Sequence, residues 1–184
     1  MNMAELSRST AITHATLRRY LSLLEAIFLL QSLPAWSTNS GKRLVKSPKI
    51  HLVDTGLAAQ LTGDTDPDAL AQSAKIGPLL ESFVVQEVRK QIAWTTQSAT
   101  AFHFRSSAGR EVDLVLELPG GTVSGIEIKA AAKVTRANFA GLEALAEEAG
   151  KKFVRGVVLY FGNQVLPFDE RLTAVPITEL WAGR

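Results

Sequence analysis

Asp113, Glu127 and Lys129 are the residues whose types and spacing best suit them to chemistry. They lie in two strand-like runs, Glu111-Val112-Asp113-Leu114-Val115-Leu116 and Gly125-Ile126-Glu127-Ile128-Lys129. Side chains alternate faces along a strand, so Glu127 and Lys129 point one way while Ile126 and Ile128 enter the opposite layer. If the two runs pair as a hairpin, Asp113 joins them on one face. Two carboxylates and one ammonium converging on a sheet can hold a divalent ion through hard oxygen ligands and steer a water. Metal-dependent phosphodiester hydrolysis needs that equipment.

The elements that must position these residues follow from hydrophobic periodicity. Residues 76–92 read as a helix with Ile76, Leu80, Val84, Val85 and Val88 on one stripe. Glu81 lies on that stripe, where a carboxylate is costly unless paired or metal-bound. Residues 101–105 read as a strand, Ser106-Ser107-Ala108-Gly109 as a turn, and 111–117 and 123–129 as two further strands. A helix over 135–149 presents Phe139, Leu142 and Leu145 on one side and ends at Gly150. Residues 154–161 form an apolar strand expected to be central and buried on both faces. One more strand is expected at 173–177.

The first third has a different order. A short helix, the turn Ser9-Thr10-Ala11-Ile12 and a helix over 14–26 capped by Thr13 come first. A strand over 27–33, a turn at 37–43, a strand over 49–53 and a short helix capped by Asp54 follow. That is the order of a winged helix-turn-helix, with its first helix truncated. Arg18 and Arg19 then fall on a recognition helix, with Lys42 and Arg43 on a wing near phosphates. Clustered Gly, Pro and Asp near residues 62–68 mark a joint. The expected division is 1–62, a linker over 63–75, and a second domain over 76–184.

Charge is unevenly spread between these parts. Residues 1–62 hold seven Lys/Arg against three Asp/Glu, a net of +4, and the remainder nets −2. A basic first third suits a polyanionic partner. Cysteine is absent, which excludes a disulfide framework and a thiolate metal site. His14, His51 and His103 are scattered without metal-ligand spacing. The longest apolar run, Ala26-Ile27-Phe28-Leu29-Leu30, is too short to span a bilayer, and the start carries no signal-type run. The expectation is a cytoplasmic protein with no membrane association. Trp36, Trp94 and Trp181 are expected to be packing anchors.

Longer phrases carry a family resemblance. Gly77-Pro78-Leu79-Leu80-Glu81-Ser82-Phe83-Val84, Phe104-Arg105-Ser106-Ser107-Ala108-Gly109-Arg110-Glu111-Val112-Asp113 and Ile126-Glu127-Ile128-Lys129 resemble the bacterial and archaeal domain-of-unknown-function 4143 family. So does the stretch from Arg43 to Leu57, and the likeness covers almost the whole chain. The resemblance implies an α/β fold. Its restriction-endonuclease-like core would be a mixed sheet flanked by helices, bearing the PD-(D/E)xK signature at Glu81, Asp113 and Glu127-Ile128-Lys129. The small winged segment would precede that core. It also implies the C-terminal part of an AAA+ ATPase. No Gly-x-x-x-x-Gly-Lys-Ser/Thr phosphate loop occurs in this sequence, so ATP binding is not carried over.

The roles implied are specific. Asp113, Glu127 and the main-chain carbonyl of Ile128 would ligate Mg²⁺ or Mn²⁺, Lys129 would orient the attacking water or stabilise transition-state charge, and Glu81 would serve the ion's water shell or a second ion. Arg105 beside the turn would contact phosphate. The expected function is a Mg-dependent nuclease acting on nucleic acid, DNA first, with an ATPase domain or subunit as partner. The competing expectation is a non-catalytic module that binds DNA or a protein.

Overall fold

The computed structural model of the chain describes residues 3–39, 41, 43 and 46–182, and Lys42 lies outside the described residues. In the first segment, α1 (Met3–Thr10) stops where Ala11 adopts φ 56°. Thr13 then caps α2 (His14–Ala26), its hydroxyl accepting the Thr16 amide at 3.3 Å. The strand expected from residue 27 begins only at Leu30. Residues 27–29 turn the chain instead, with the Phe28 and Leu29 amides donating to the Glu25 and Leu24 carbonyls. β1 (Leu30–Leu33) pairs antiparallel with β2 (Lys49–Leu52), Leu33 opposite Lys49. Asp54 caps α3 (Thr55–Leu61), accepting the Leu57 amide at 2.9 Å. Within the segment expected to be a linker lies a short helix, α4 (Pro67–Gln72). Asp66 caps it, and Pro67 sits in the first turn, where a missing N–H leaves no helical bond unmade.

The second part is a six-stranded mixed sheet between two helices. Its members are α5 (Ile76–Trp94), β3 (Thr100–Arg105), β4 (Glu111–Glu117), β5 (Val123–Lys129), a 3₁₀ turn (Arg136–Phe139), α6 (Ala140–Ala149), β6 (Phe153–Tyr160), β7 (Leu166–Pro167) and β8 (Leu172–Pro176). Spatial order is β3-β4-β5-β6-β8-β7. β3, β4 and β5 are antiparallel neighbours, β6 is parallel to both β5 and β8, and β7 returns antiparallel to β8. β6 is central, as its apolar run implies, although Val154 and Arg155 near its start are exposed. No helix of the described residues is long and apolar enough to cross a membrane.

Each sheet face is closed by one helix. The α5 stripe of Leu80, Val84, Val85 and Val88 packs with Leu114, Ile128 and Leu159. Leu142 and Leu145 of α6, with Phe139, pack with Val112, Val123 and Phe153 on the other face. Each such side chain contributes about 1.5–3 kcal/mol when fully buried.

The first segment is stitched into this core. Leu33 is buried with the α5 layer and Trp36 with the α6 layer, where it meets Phe104 edge-to-face at 6.2 Å between centroids. Ala35 bridges His103 along the outer side of β3: the Trp36 amide donates to the His103 carbonyl at 2.6 Å, and the His103 amide to the Pro34 carbonyl at 2.9 Å. Trp36 is thus a packing anchor as expected. Trp181 packs against Phe83 at 5.9 Å, but Trp94 at the end of α5 is 71% exposed.

α6 sits close to β4 because Gly141 has no side chain. A Cβ there would fall inside the van der Waals shell of the Glu111 carbonyl oxygen, a backbone atom that cannot turn aside. Gly141→Ala is expected to lower stability by about 1–3 kcal/mol, read as a lower urea midpoint at unchanged slope. Gly77→Ala, where the added methyl meets nothing within 4 Å, serves as the control and should not destabilise. Equal midpoints for wild type and Gly141→Ala would refute the close approach.

Candidate functional site

The carboxylates meet where β4 departs from regular pairing. Phe102 pairs with Val115 and Phe104 with Val112, so two residues of β4, Asp113 and Leu114, occupy the span opposite His103. This is a bulge, which re-aims the side chain of the inserted residue. On its other side the β4–β5 ladder ends at Leu114 opposite Ile126. Beyond that point Asp113 Oδ2 accepts the Ile128 main-chain N–H at 3.0 Å. The carboxylate is thereby fixed against β5, beside the Glu127-Ile128-Lys129 run.

Two lysines reach the cluster. Lys129 Nζ donates to Glu127 Oε1 at 2.6 Å, along one face of β5. Lys49 arrives from β2 in the first segment. Its Nζ donates to Glu81 Oε1 on α5 at 2.7 Å and to Asp113 Oδ1 at 3.0 Å. Glu81, Asp113 and the unforeseen Lys49 thus form one bonded group and Glu127 with Lys129 another, near enough for the Asp113 charge to act on both Glu127 and Lys129. Glu127 is 8% exposed, and its Oε2 has no hydrogen-bond partner.

The electrostatics follow from this crowding. Burial, reinforced by the Asp113 charge, raises the Glu127 carboxyl to about 7 against the opposing pull of Lys129 and Lys49. Burial and Asp113 likewise push the Glu81 carboxyl up. Burial works against the Lys49 ammonium, but Asp113 and Glu81 outweigh it, and its pKa is pushed up to about 12. Burial chiefly, with Lys49 nearby, holds His51 and His103 down at about 4, so both rings are neutral at physiological pH. His51 Nδ1 shares a hydrogen bond of 3.1 Å with Ser82 Oγ, one residue beyond Glu81.

Whether a divalent ion suits these residues has two answers. The donors are hard carboxylate oxygens, and Glu127 Oε2 is a carboxyl oxygen buried without a partner, which fits a Mg²⁺-type ion. The space between Glu81 and Asp113, however, is held by an ammonium. Among the described residues no three His, Cys, Asp or Glu side chains stand ready as a metal cage. Ile128 offers its N–H to Asp113, which says nothing of its carbonyl.

The basic residues divide. His14 and Arg18 of α2 line a cleft of about 1070 Å³ together with Lys46, Lys49 and Arg105. Arg19 is exposed on α2 outside that lining. Arg43, expected near phosphates on a wing, is turned inward: its guanidinium grips both Glu117 oxygens at 2.6 and 2.8 Å and lies over the Phe102 ring at 4.9 Å. Lys42 lies outside the described residues. Lys49 is the residue that sequence reasoning missed. Its signal was Lys49-Ile50-His51, a polar alternation on a short strand of the same kind as Glu127-Ile128-Lys129.

The family described as domain of unknown function DUF4143 matches residues 76–180, which include every carboxylate of the cluster. A second, described as domain of unknown function DUF8612, matches residues 1–68, which include Lys49. Among curated proteins the chain is similar to uncharacterized protein Rv2008c of Mycobacterium tuberculosis and uncharacterized protein Mb2031c of Mycobacterium bovis. Each is 32% identical over 179 residues, 96% of this chain. The chain spans 38% of the length of these relatives. No solved structure matches.

The buried Glu127 charge has a measurable consequence. Its folded pKa of about 7 lies above the ordinary 4.5, so between those values the folded chain keeps a proton that the unfolded chain has lost. Stability supplied by that proton is present below pH 4.5 and is lost as pH rises through 7. Glu127→Gln is therefore expected to gain stability relative to wild type from pH 5 to pH 8, in urea titrations with a chelator present. An offset between the two proteins that does not change with pH would contradict this account.

Proposed function

We propose that this chain, which belongs to the DUF4143 family, carries a PD-(D/E)xK-type site for phosphodiester hydrolysis of nucleic acid. The observation that carries the reading is the convergence of Glu81, Asp113, Glu127 and Lys129. They come from one helix and two antiparallel strands at a bulge. The order helix, three antiparallel strands, helix, parallel strand supports a restriction-endonuclease-like core. The helix, turn, helix and two-stranded sheet of the first segment support a winged helix.

In this reading Asp113, Glu127 and the Ile128 carbonyl would hold Mg²⁺ or Mn²⁺, which would supply Lewis-acid charge at the phosphoryl group. Lys129 sets its ammonium beside Glu127, where it would stabilise the charge that grows on the phosphoryl oxygens as a water adds to phosphorus, giving its proton to solvent, and the leaving oxygen departs and takes up a proton from solvent. Arg18, Lys46 and Arg105 line the cleft that leads to Lys49 and hold the phosphates flanking the scissile bond. Arg19 extends that contact along α2. DNA is the first substrate class to test. The family resemblance, and not the length of the relatives, motivates an ATPase domain or subunit as the proposed partner that delivers or moves the polymer.

A second reading has its own observation. The Lys49 bridge between Glu81 and Asp113 favours a non-catalytic module that grips DNA or a partner protein.

The test is incubation of the chain with single- and double-stranded DNA and RNA in Mg²⁺ or Mn²⁺. Cleavage is expected, with loss of at least 100-fold in Asp113→Ala and in Lys129→Ala. Cleavage that persists in both variants sinks the assignment, and binding without any cleavage selects the second reading.

A further inference from the structure

The Lys49 ammonium occupies the position that a cation would need. Its Nζ lies within hydrogen-bond distance of one oxygen of Glu81 and one of Asp113. Both Asp113 oxygens are then engaged, because the second takes the Ile128 N–H. An ion that ligates Asp113 through Oδ1 displaces Lys49, since an ammonium and a divalent ion repel at contact distance. The cluster nevertheless asks for more positive charge than it has. Glu127 is more than nine-tenths buried, one of its oxygens is held by Lys129, and the other has no partner.

Lys49 is also placed to leave. It sits at the first position of β2, directly after Pro48, on a strand whose pairing is with β1 alone. It lines both the cleft of about 1070 Å³ and an open groove of about 380 Å³, spaces into which its side chain could move away from the carboxylates. The His51–Ser82 hydrogen bond two residues on keeps the strand itself against α5. The side chain can therefore withdraw while β2 stays docked.

We propose that Lys49 is a tethered cation which competes with a free divalent ion for Asp113 and Glu81, so that the first segment gates loading of the site. The proposal rests on reading Glu81, Asp113 and Glu127 as a cation site. It assigns to the first segment a regulatory role at a site built by the second, carried by one side chain. In the closed state Lys49 occupies Glu81 and Asp113 and keeps adventitious ions from them. In the open state Asp113 and Glu81 are free, and the lysine faces the cleft.

The test uses the full chain stripped of metal, with Mn²⁺ alone as the probe and calorimetric titration at fixed pH as the readout. Lys49→Met is expected to bind Mn²⁺ at least tenfold more tightly than wild type, and Asp113→Asn to abolish binding in the Lys49→Met background. Equal or weaker binding by a folded Lys49→Met protein overturns the proposal, as does Mn²⁺ binding by neither protein. A measurement on wild type covers the case in which Lys49→Met does not fold. Acetylation of Lys49 by an amine-reactive reagent, followed by mass spectrometry, should rise severalfold at saturating Mn²⁺, and an unchanged labelling rate overturns the proposal. Cleavage is not a readout here. Tighter Mn²⁺ binding in Lys49→Met without hydrolysis would leave the gate standing and remove the nuclease reading. Asp113-dependent hydrolysis with equal affinities would do the reverse.

Discussion

Negative charge gathered at one bend of the sheet sets the terms for much of this structure. Asp113 and Glu127 lie on neighbouring strands and Glu81 on the helix above, and the Asp113 charge makes both glutamates harder to ionise. Such a group is tolerated in a half-buried site only if cations reach it. The chain supplies two, by different routes. Lys129 is local, two residues from Glu127 on the same strand. Lys49 is remote, and its approach requires β2 to lie over the start of α5. The docking of the first segment and the supply of positive charge to the site are thus one arrangement.

The backbone serves the same end. A regular β4 would have left Asp113 in the alternation of its strand, whereas the extra residue opposite His103 turns its carboxylate to the Ile128 amide and the Lys49 ammonium. The opposite face of β4 is held by α6, which Gly141 allows to approach the Glu111 carbonyl. The bulge is clamped between a helix on one side and an ion pair on the other. Precise placement of reactive groups comes from such overdetermined support.

Much of this was legible in the sequence, for identifiable reasons. Strict alternation in Glu127-Ile128-Lys129 fixed a face, the apolar stripe around Glu81 fixed a helix side, and Thr13 and Asp54 marked helix starts through short polar side chains that cap. The bulge at Asp113 was not legible, because period-two reasoning assumes that the partner strand keeps step. Lys49 escaped because its partner Asp113 is 64 residues away, and no local pattern reports a contact of that span. Residues 27–29 read as strand from their apolar character, yet they turn the chain, with Phe28 at φ 60°. Asp66-Pro67 read as loop punctuation, although the same pair is a helix-start signal. Arg43 read as a surface charge because the sequence does not show that Glu117, Phe102 and Trp36 surround it.

The bridge between Ala35 and His103 bears on how the sheet meets its surroundings. β3 is an outermost strand, and an uncovered outer strand offers unpaired amides and carbonyls to any other chain. Residues 34–36 occupy part of that margin, and Trp36 seals the layer behind it. The opposite margin is β7, only two residues long and ending in Pro167, which cannot donate to a new neighbour. The sheet is therefore guarded at both margins by different means. Cutting the chain between the two parts that its composition suggests would strip one guard away and leave a sticky, self-associating fragment.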